Sequence, residues 1–180
     1  MPDATQAAMF DPMAKWTPPP DWMMARIIRA DWSATPVFGL GLTIIGGNLT
    51  AATAALAPDA CELGLWHIAP AGPLLLRIGR DKALLVTDDA TDVSAGWRSD
   101  GWYATPATGA YAVIDIDGDA LDAMIREATA TNVGAGSPST ATLFAGVTAL
   151  LIRMRYNAAR LFVEVGHAPY VWRWLETRSG

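Results

Sequence analysis

The chain is poor in the residues that most site chemistry needs. It has two histidines and one cysteine in 180 residues. Neither His67 nor His167 has a second histidine, a cysteine or a carboxylate at metal-ligand spacing, so no metal centre is legible. His67, beside Trp66, reads as a loop residue, and His167 as a structural residue at the start of the last helix. Cys61 stands alone, which excludes an intrachain disulfide and fits a reducing, cytoplasmic setting. Charge is also scarce: charged residues are 17%, with 13 basic against 18 acidic and a net charge of −5. The arginines are spread thinly, and without a basic cluster a nucleic-acid partner is not expected. The N-terminus lacks a basic segment followed by an apolar core, so no signal peptide is expected. The longest uncharged run of the C-terminal half ends at Arg153 and is broken by Gly, Ser, Pro and Thr, too interrupted to span a bilayer.

Apolar residues, by contrast, make up 52% of the chain. That is ample for a core and leaves apolar surface for a partner. Much of the surplus lies at the N-terminus. Residues 1–36 read as an extended arm, because Pro2, Pro12 and Pro18-Pro19-Pro20 prevent regular helix. The arm carries Met9, Phe10, Met13, Trp16, Trp22, Met23 and Met24, side chains of little use to a free solvated tail. They suggest an arm laid across an apolar surface, either its own domain or another subunit.

From residue 37 the pattern turns to strands. Phe38, Leu40, Leu42 and Ile44 alternate with Gly39, Gly41, Thr43 and Ile45, which predicts one strand containing both glycines. Asn48 or Thr50 is placed to cap a helix carrying Leu49, Ala52 and Leu56. Leu74–Ile78 and Ala83–Thr87 form a predicted hairpin, and Asp88 or Asp89 caps a predicted helix through Ala90, Val93 and Trp97. The same order recurs: a strand at Tyr111–Ile116, a helix through Leu121, Met124, Ile125 and Ala128, a hairpin, and a last helix with Pro169 at its start. Leu75-Leu-Arg-Ile78 aligns with Leu151-Ile-Arg-Met154, and Ala83–Thr87 with Arg160–Glu164. The expected fold is therefore α+β. Residues 37–180 form a single domain of two strand–helix–hairpin–helix halves, about 37–104 and 105–180, related by a pseudo-twofold.

Motifs for catalysis fail. Asp115-Ile-Asp117-Gly-Asp119 begins like a calcium loop, but its sixth and twelfth positions hold Ala120 and Arg126 where Gly and Glu are needed. Asp117-Gly-Asp119 reads better as a turn and helix cap. Gly134-Ala-Gly-Ser137 lacks the Lys-Ser/Thr of a phosphate-binding loop, and no Gly-x-Ser-x-Gly elbow exists. No catalytic, cofactor-binding or metal-binding residue is assigned.

The C-terminal run is the most specific stretch: Thr142-Leu-Phe-Ala-Gly-Val-Thr-Ala-Leu-Leu151, Leu161-Phe-Val-Glu164 and Ala168-Pro-Tyr-Val-Trp-Arg-Trp-Leu175. With Ile116–Ile125 and Leu75–Leu85, it resembles the gamma subunit of heterotetrameric sarcosine oxidase. The Arg-Ser that this family places before the last helix is Val165-Gly166 here. The resemblance implies a fold similar to the folate-binding domain of aminomethyltransferases. It further implies a non-catalytic subunit of an oxidoreductase complex acting on an N-methyl amine or amino acid, with flavin, NAD and folate held by larger partner subunits. Trp16, Trp22, Met23 and Trp174 are the partner-interface candidates. Two other readings stay open. One is a free-standing folate-binding or aminomethyltransferase-like protein, for which Asp115 or Glu164 would face the pterin; the other is a homo-oligomeric domain without a small ligand.

Overall fold

Aliphatic runs such as Leu74-Leu-Leu76 and Leu150-Leu-Ile152 leave both faces of a strand apolar, and the fold covers both faces. The computed structural model describes residues 18–89 and 93–178. In chain order its elements are β1 (Ile27–Ile28), β2 (Trp32–Val37), β3 (Gly41–Gly47), α1 (Leu49–Leu56), β4 (Cys61–Leu63), β5 (Leu74–Arg77) and β6 (Lys82–Thr87). There follow β7 (Gly96–Trp97), β8 (Trp102–Pro106), β9 (Tyr111–Gly118), α2 (Leu121–Ala128), β10 (Ala141–Phe144), β11 (Val147–Arg155), β12 (Ala158–Glu164) and α3 (Ala168–Glu176). They build two six-stranded sheets, β1-β2-β9-β12-β11-β10 and β4-β5-β6-β3-β8-β7. Every neighbouring pair is antiparallel except β4 and β5.

Three cores follow from this arrangement. Leu74, Leu76, Leu84, Val113, Ile152 and Phe162 fill the space between the sheets. Ile114, Ile116, Leu151 and Leu161 pack on α2 and α3 through Leu121, Ile125, Val171 and Trp172. Ile45, Leu75, Leu85 and Trp102 pack on α1 through Leu49 and Ala52. Successive residues of one strand thus enter different cores, which is why the strands do not alternate between apolar and polar.

The expected α+β fold of two strand–helix–hairpin–helix halves is overturned. The molecule is β-rich, and its helices have only eight, eight and nine residues. The halves are not separate units: β2 joins the first sheet through β9, while β3, the next strand in sequence, lies in the second. The break falls at Gly39, whose φ of 85° turns the chain between β2 and β3, so Gly39 is not inside a strand. The helix predicted after Asp89 lies partly outside the described residues. Residues 93–95 are not helical, and Gly96–Trp97 is a strand paired with β8. Residues 27–36, read as part of the arm, carry β1 and all of β2 but Val37, with Ile27 and Trp32 buried.

Both short outer hairpins end on the same contact. Trp32 of β2 lies across from Gly118, and Trp102 of β8 lies across from Gly47. A Cβ on Gly118 would collide with the Asp31 carbonyl and the Trp32 backbone, and one on Gly47 with the Gly101 carbonyl. Arg29 accompanies Trp32 and donates to the carbonyls of Glu176 (2.9 Å) and Arg178 (3.3 Å), capping the end of α3. Asn48 caps α1 by accepting the Ala51 N–H, whereas α2 starts at Ala120 without any side-chain cap.

Gly118 combines a φ of 142° with that close approach. Gly118→Ala is therefore expected to destabilise the fold by about 2–4 kcal/mol. Gly79→Ala, at an open position, should change stability by less than about 0.5 kcal/mol. Denaturant unfolding of both variants checks the contrast.

Candidate functional site

The turn that separates β2 from β3 and the loop that separates β8 from β9 come together at one end of the sandwich. Between them lies a cleft of about 280 Å³, walled by Trp22, Val37, Phe38, Leu40, Tyr111 and Val165 among others. A second cleft of about 290 Å³ shares Trp22, Pro36 and Phe38 and adds Met23 and Arg26. The two form one groove, mostly apolar in the first cleft and about equally polar and apolar in the second, where Arg26 and Thr35 lie. Met23 is 70% exposed along it, and Phe38 and Val165 are each 55% exposed. These are large apolar side chains held open to solvent on a framework of sheet ends.

The polar side chains of the groove are few: Arg26, Thr35, Thr108 and the Tyr111 phenol. The Thr108 hydroxyl already accepts the Leu42 N–H at 3.2 Å, and the Val165 N–H donates to the Ala110 carbonyl at 2.9 Å. Tyr111 is partly buried. Burial raises the pKa of its phenol, and the Glu164 carboxylate raises it further. Four residues further along β9, Asp115 accepts a two-pronged pair from Arg160, Nε at 2.7 Å and Nη2 at 2.9 Å. That hydrogen bond lifts the guanidinium pKa, more than burial lowers it, with Coulomb attraction to Asp115 and Asp88 adding to the rise. Asp115 is thus committed to a structural pair.

The sequence-derived candidates separate. Trp22 belongs to the groove, where its ring meets Trp172 edge-on at 5.6 Å between centroids. Met23 stands beside it. Trp174 lies elsewhere: it packs edge-on against Phe144 at 5.4 Å, and the Arg178 guanidinium sits 4.5 Å over its ring. Trp16 falls outside the described residues. Phe38, Tyr111 and Val165 were not singled out by sequence. Phe38 looked like one face of a strand, and only the turn at Gly39 exposes it.

Other polar residues occupy local roles. His67 Nδ1 accepts the Gly64 N–H at 3.3 Å, and His167 holds the N-cap position of α3 without capping it through its side chain. Among the described residues, no group of three or more His, Cys, Asp or Glu is placed to hold a metal ion, and no helix is long and apolar enough to cross a membrane.

With this geometry in hand, the chain can be set beside known proteins. No family model and no curated protein matches its sequence. Among solved structures, a chain of the heterotetrameric sarcosine oxidase from Corynebacterium sp. U-96, in complex with pyrrole 2-carboxylate, is similar with a TM-score of 0.63. The likeness is one of fold. Identity is 14%, over 81% of this chain and 82% of that chain.

Tyr111 makes the partial burial of the groove's wall measurable. A phenol kept neutral by burial ionises later in the folded protein than in the unfolded chain, so stability is lost as pH rises above the ordinary value of 10.0. In an ultraviolet pH titration of the folded protein, the phenolate absorbance that disappears in Tyr111→Phe is expected to have its midpoint above 10.0.

Proposed function

We propose that this chain is a non-catalytic, gamma-type subunit of a sarcosine oxidase-like complex that oxidises an N-methyl amine or amino acid. Its groove receives an apolar segment of a larger, flavin-binding subunit. The observation that carries this reading is the fold shared with one chain of a heterotetrameric oxidase. The matched shares, 81% and 82%, give the two chains nearly equal lengths, so the likeness is to a chain of this size.

The groove supports the same reading through its chemistry. It is largely apolar, lined by aromatic side chains, and free of any paired nucleophile and base. Surfaces of this kind are energetic centres of protein interfaces when a partner desolvates them. Redox cofactors then sit in the partner, and this chain supplies shape and apolar surface. The complex needs the subunit for assembly; the chemical step takes place elsewhere.

Affinity purification of the tagged chain from its native cells tests the reading. The expected result is co-purification of a flavin-containing larger polypeptide together with N-methyl amine oxidase activity. Phe38→Asp, at an exposed position, should keep the fold and weaken that association by about tenfold or more, since burying an unpaired charge opposes docking. A flavoprotein that does not co-purify, or that is equally retained by Phe38→Asp, would sink the proposal.

A further inference from the structure

A separate cleft, of about 370 Å³, shares no residue with the groove. It lies between α2, the loop carrying Trp66 and the loop at 131–134. Arg153 forms its base. Its Nη2 donates to Asp122 Oδ1 at 2.7 Å and to the Tyr156 carbonyl at 2.6 Å. Its guanidinium carbon stands 4.6 Å from the centre of the Trp66 ring. Nη1 has no partner among the described residues, and Nε is buried without one. Arg126 on α2 also lines the cleft, and makes no hydrogen bond or ion pair with any described residue. Asn132 adds a side-chain amide.

The molecule contains its own comparison. A cleft of about 340 Å³ lies beside α1, bounded by Arg77 at the end of β5. Arg77 matches Arg153 in the aligned hairpins, and α1 matches α2. At the second helical position the first cleft has Thr50 and the second Asp122; at the sixth, the first has Ala54 and the second Arg126. Arg77 is satisfied by Glu62 and the Arg80 carbonyl. The cleft beside α1 balances one Glu against one Arg, while that beside α2 holds two arginines against one Asp. The fold does not need a cation at the sixth position, because Ala54 serves there. Arg126 is therefore a local addition, and it faces the same space as Arg153.

We propose that the cleft beside α2 binds a carboxylate carried on a flat apolar body. Arg126 and Nη1 of Arg153 take the carboxylate, because a guanidinium matches its geometry and charge. Trp66 and Val133 offer apolar walls for the body of the ligand, with Ile125 behind them in the core. A bare phosphate would use the cations and leave these walls unfilled. Trp66 is held in place by its backbone, which adopts a φ of 64°, uncommon for a bulky residue. The neighbouring Leu65 N–H is tied to the Ser137 carbonyl at 2.8 Å. The inference does not depend on the subunit reading.

Benzoate, neutral benzamide and inorganic phosphate separate the alternatives in an NMR titration of the full chain, followed through the assigned Trp66 indole N–H. Benzoate is expected to shift that resonance saturably, and benzamide and phosphate to bind about tenfold more weakly or worse. Arg126→Ala, which installs the residue of the other cleft at an exposed helix position, should weaken benzoate about tenfold with an unchanged unfolding midpoint. The proposal is overturned if benzoate produces no saturable shift, if benzamide or phosphate binds as well, or if Arg126→Ala binds benzoate unchanged. Arg126→Gln provides the same comparison should the alanine variant lose its fold.

Discussion

Two tryptophans seated across two glycines hold the architecture together. Trp32 faces Gly118 and Trp102 faces Gly47, and in each case only the absence of a Cβ lets the strands approach. The contact fixes where each outer hairpin joins its sheet. It also fixes where the next helix starts, since the Asn48 N–H donates to Gly101 and the Ala120 N–H to Asp31. Adding six to each strand number of the first sheet, or subtracting it, reproduces the strand order of the second. The correspondence stops at one edge, where β4 is parallel to β5 while β10 is antiparallel to β11.

The groove is a by-product of that crossing. Once β2 and β8 each enter the sheet opposite to the strand that follows them, the two connections must pass one another. Phe38 lies in one connection, and Thr108 with Gly109 in the other. No backbone ladder covers the gap between them, so side chains, with the bare backbone of Gly39 and Gly109, line it. Trp22 closes one flank by leaning on Trp172 of the last helix, which ties the surface to the core beneath α3.

Local signals were legible where one residue decides the matter. Asn48 caps α1, Pro169 opens α3, and the hairpins of β5–β6 and β11–β12 lie where their turns placed them. The fold class was not legible. Strands covered on both faces lose their period of two, and β1 and β7, of two residues each, are too short to show any period. A usable signal did exist in the paired runs Arg29-Ala-Asp-Trp32 and Arg98-Ser-Asp-Gly-Trp102, whose arginines each approach their tryptophan. Of the candidate site, Trp22 and Met23 could be found because an apolar arm is conspicuous. Phe38 and Tyr111 could not, because their exposure depends on how two distant loops meet.

The cap that Arg29 places on the last helix has a consequence for how the molecule comes apart. Arg29 belongs to the edge hairpin of the first sheet, and it holds the last carbonyl of α3, at Glu176, and that of Arg178 just beyond it. Trp22 and Trp172 make a second contact between the same two regions. The early and late parts of the chain are thus joined by a clasp without a covalent bond. Fraying at either end then releases the edge strand and the helix together, as one cooperative unit in place of two independent ones.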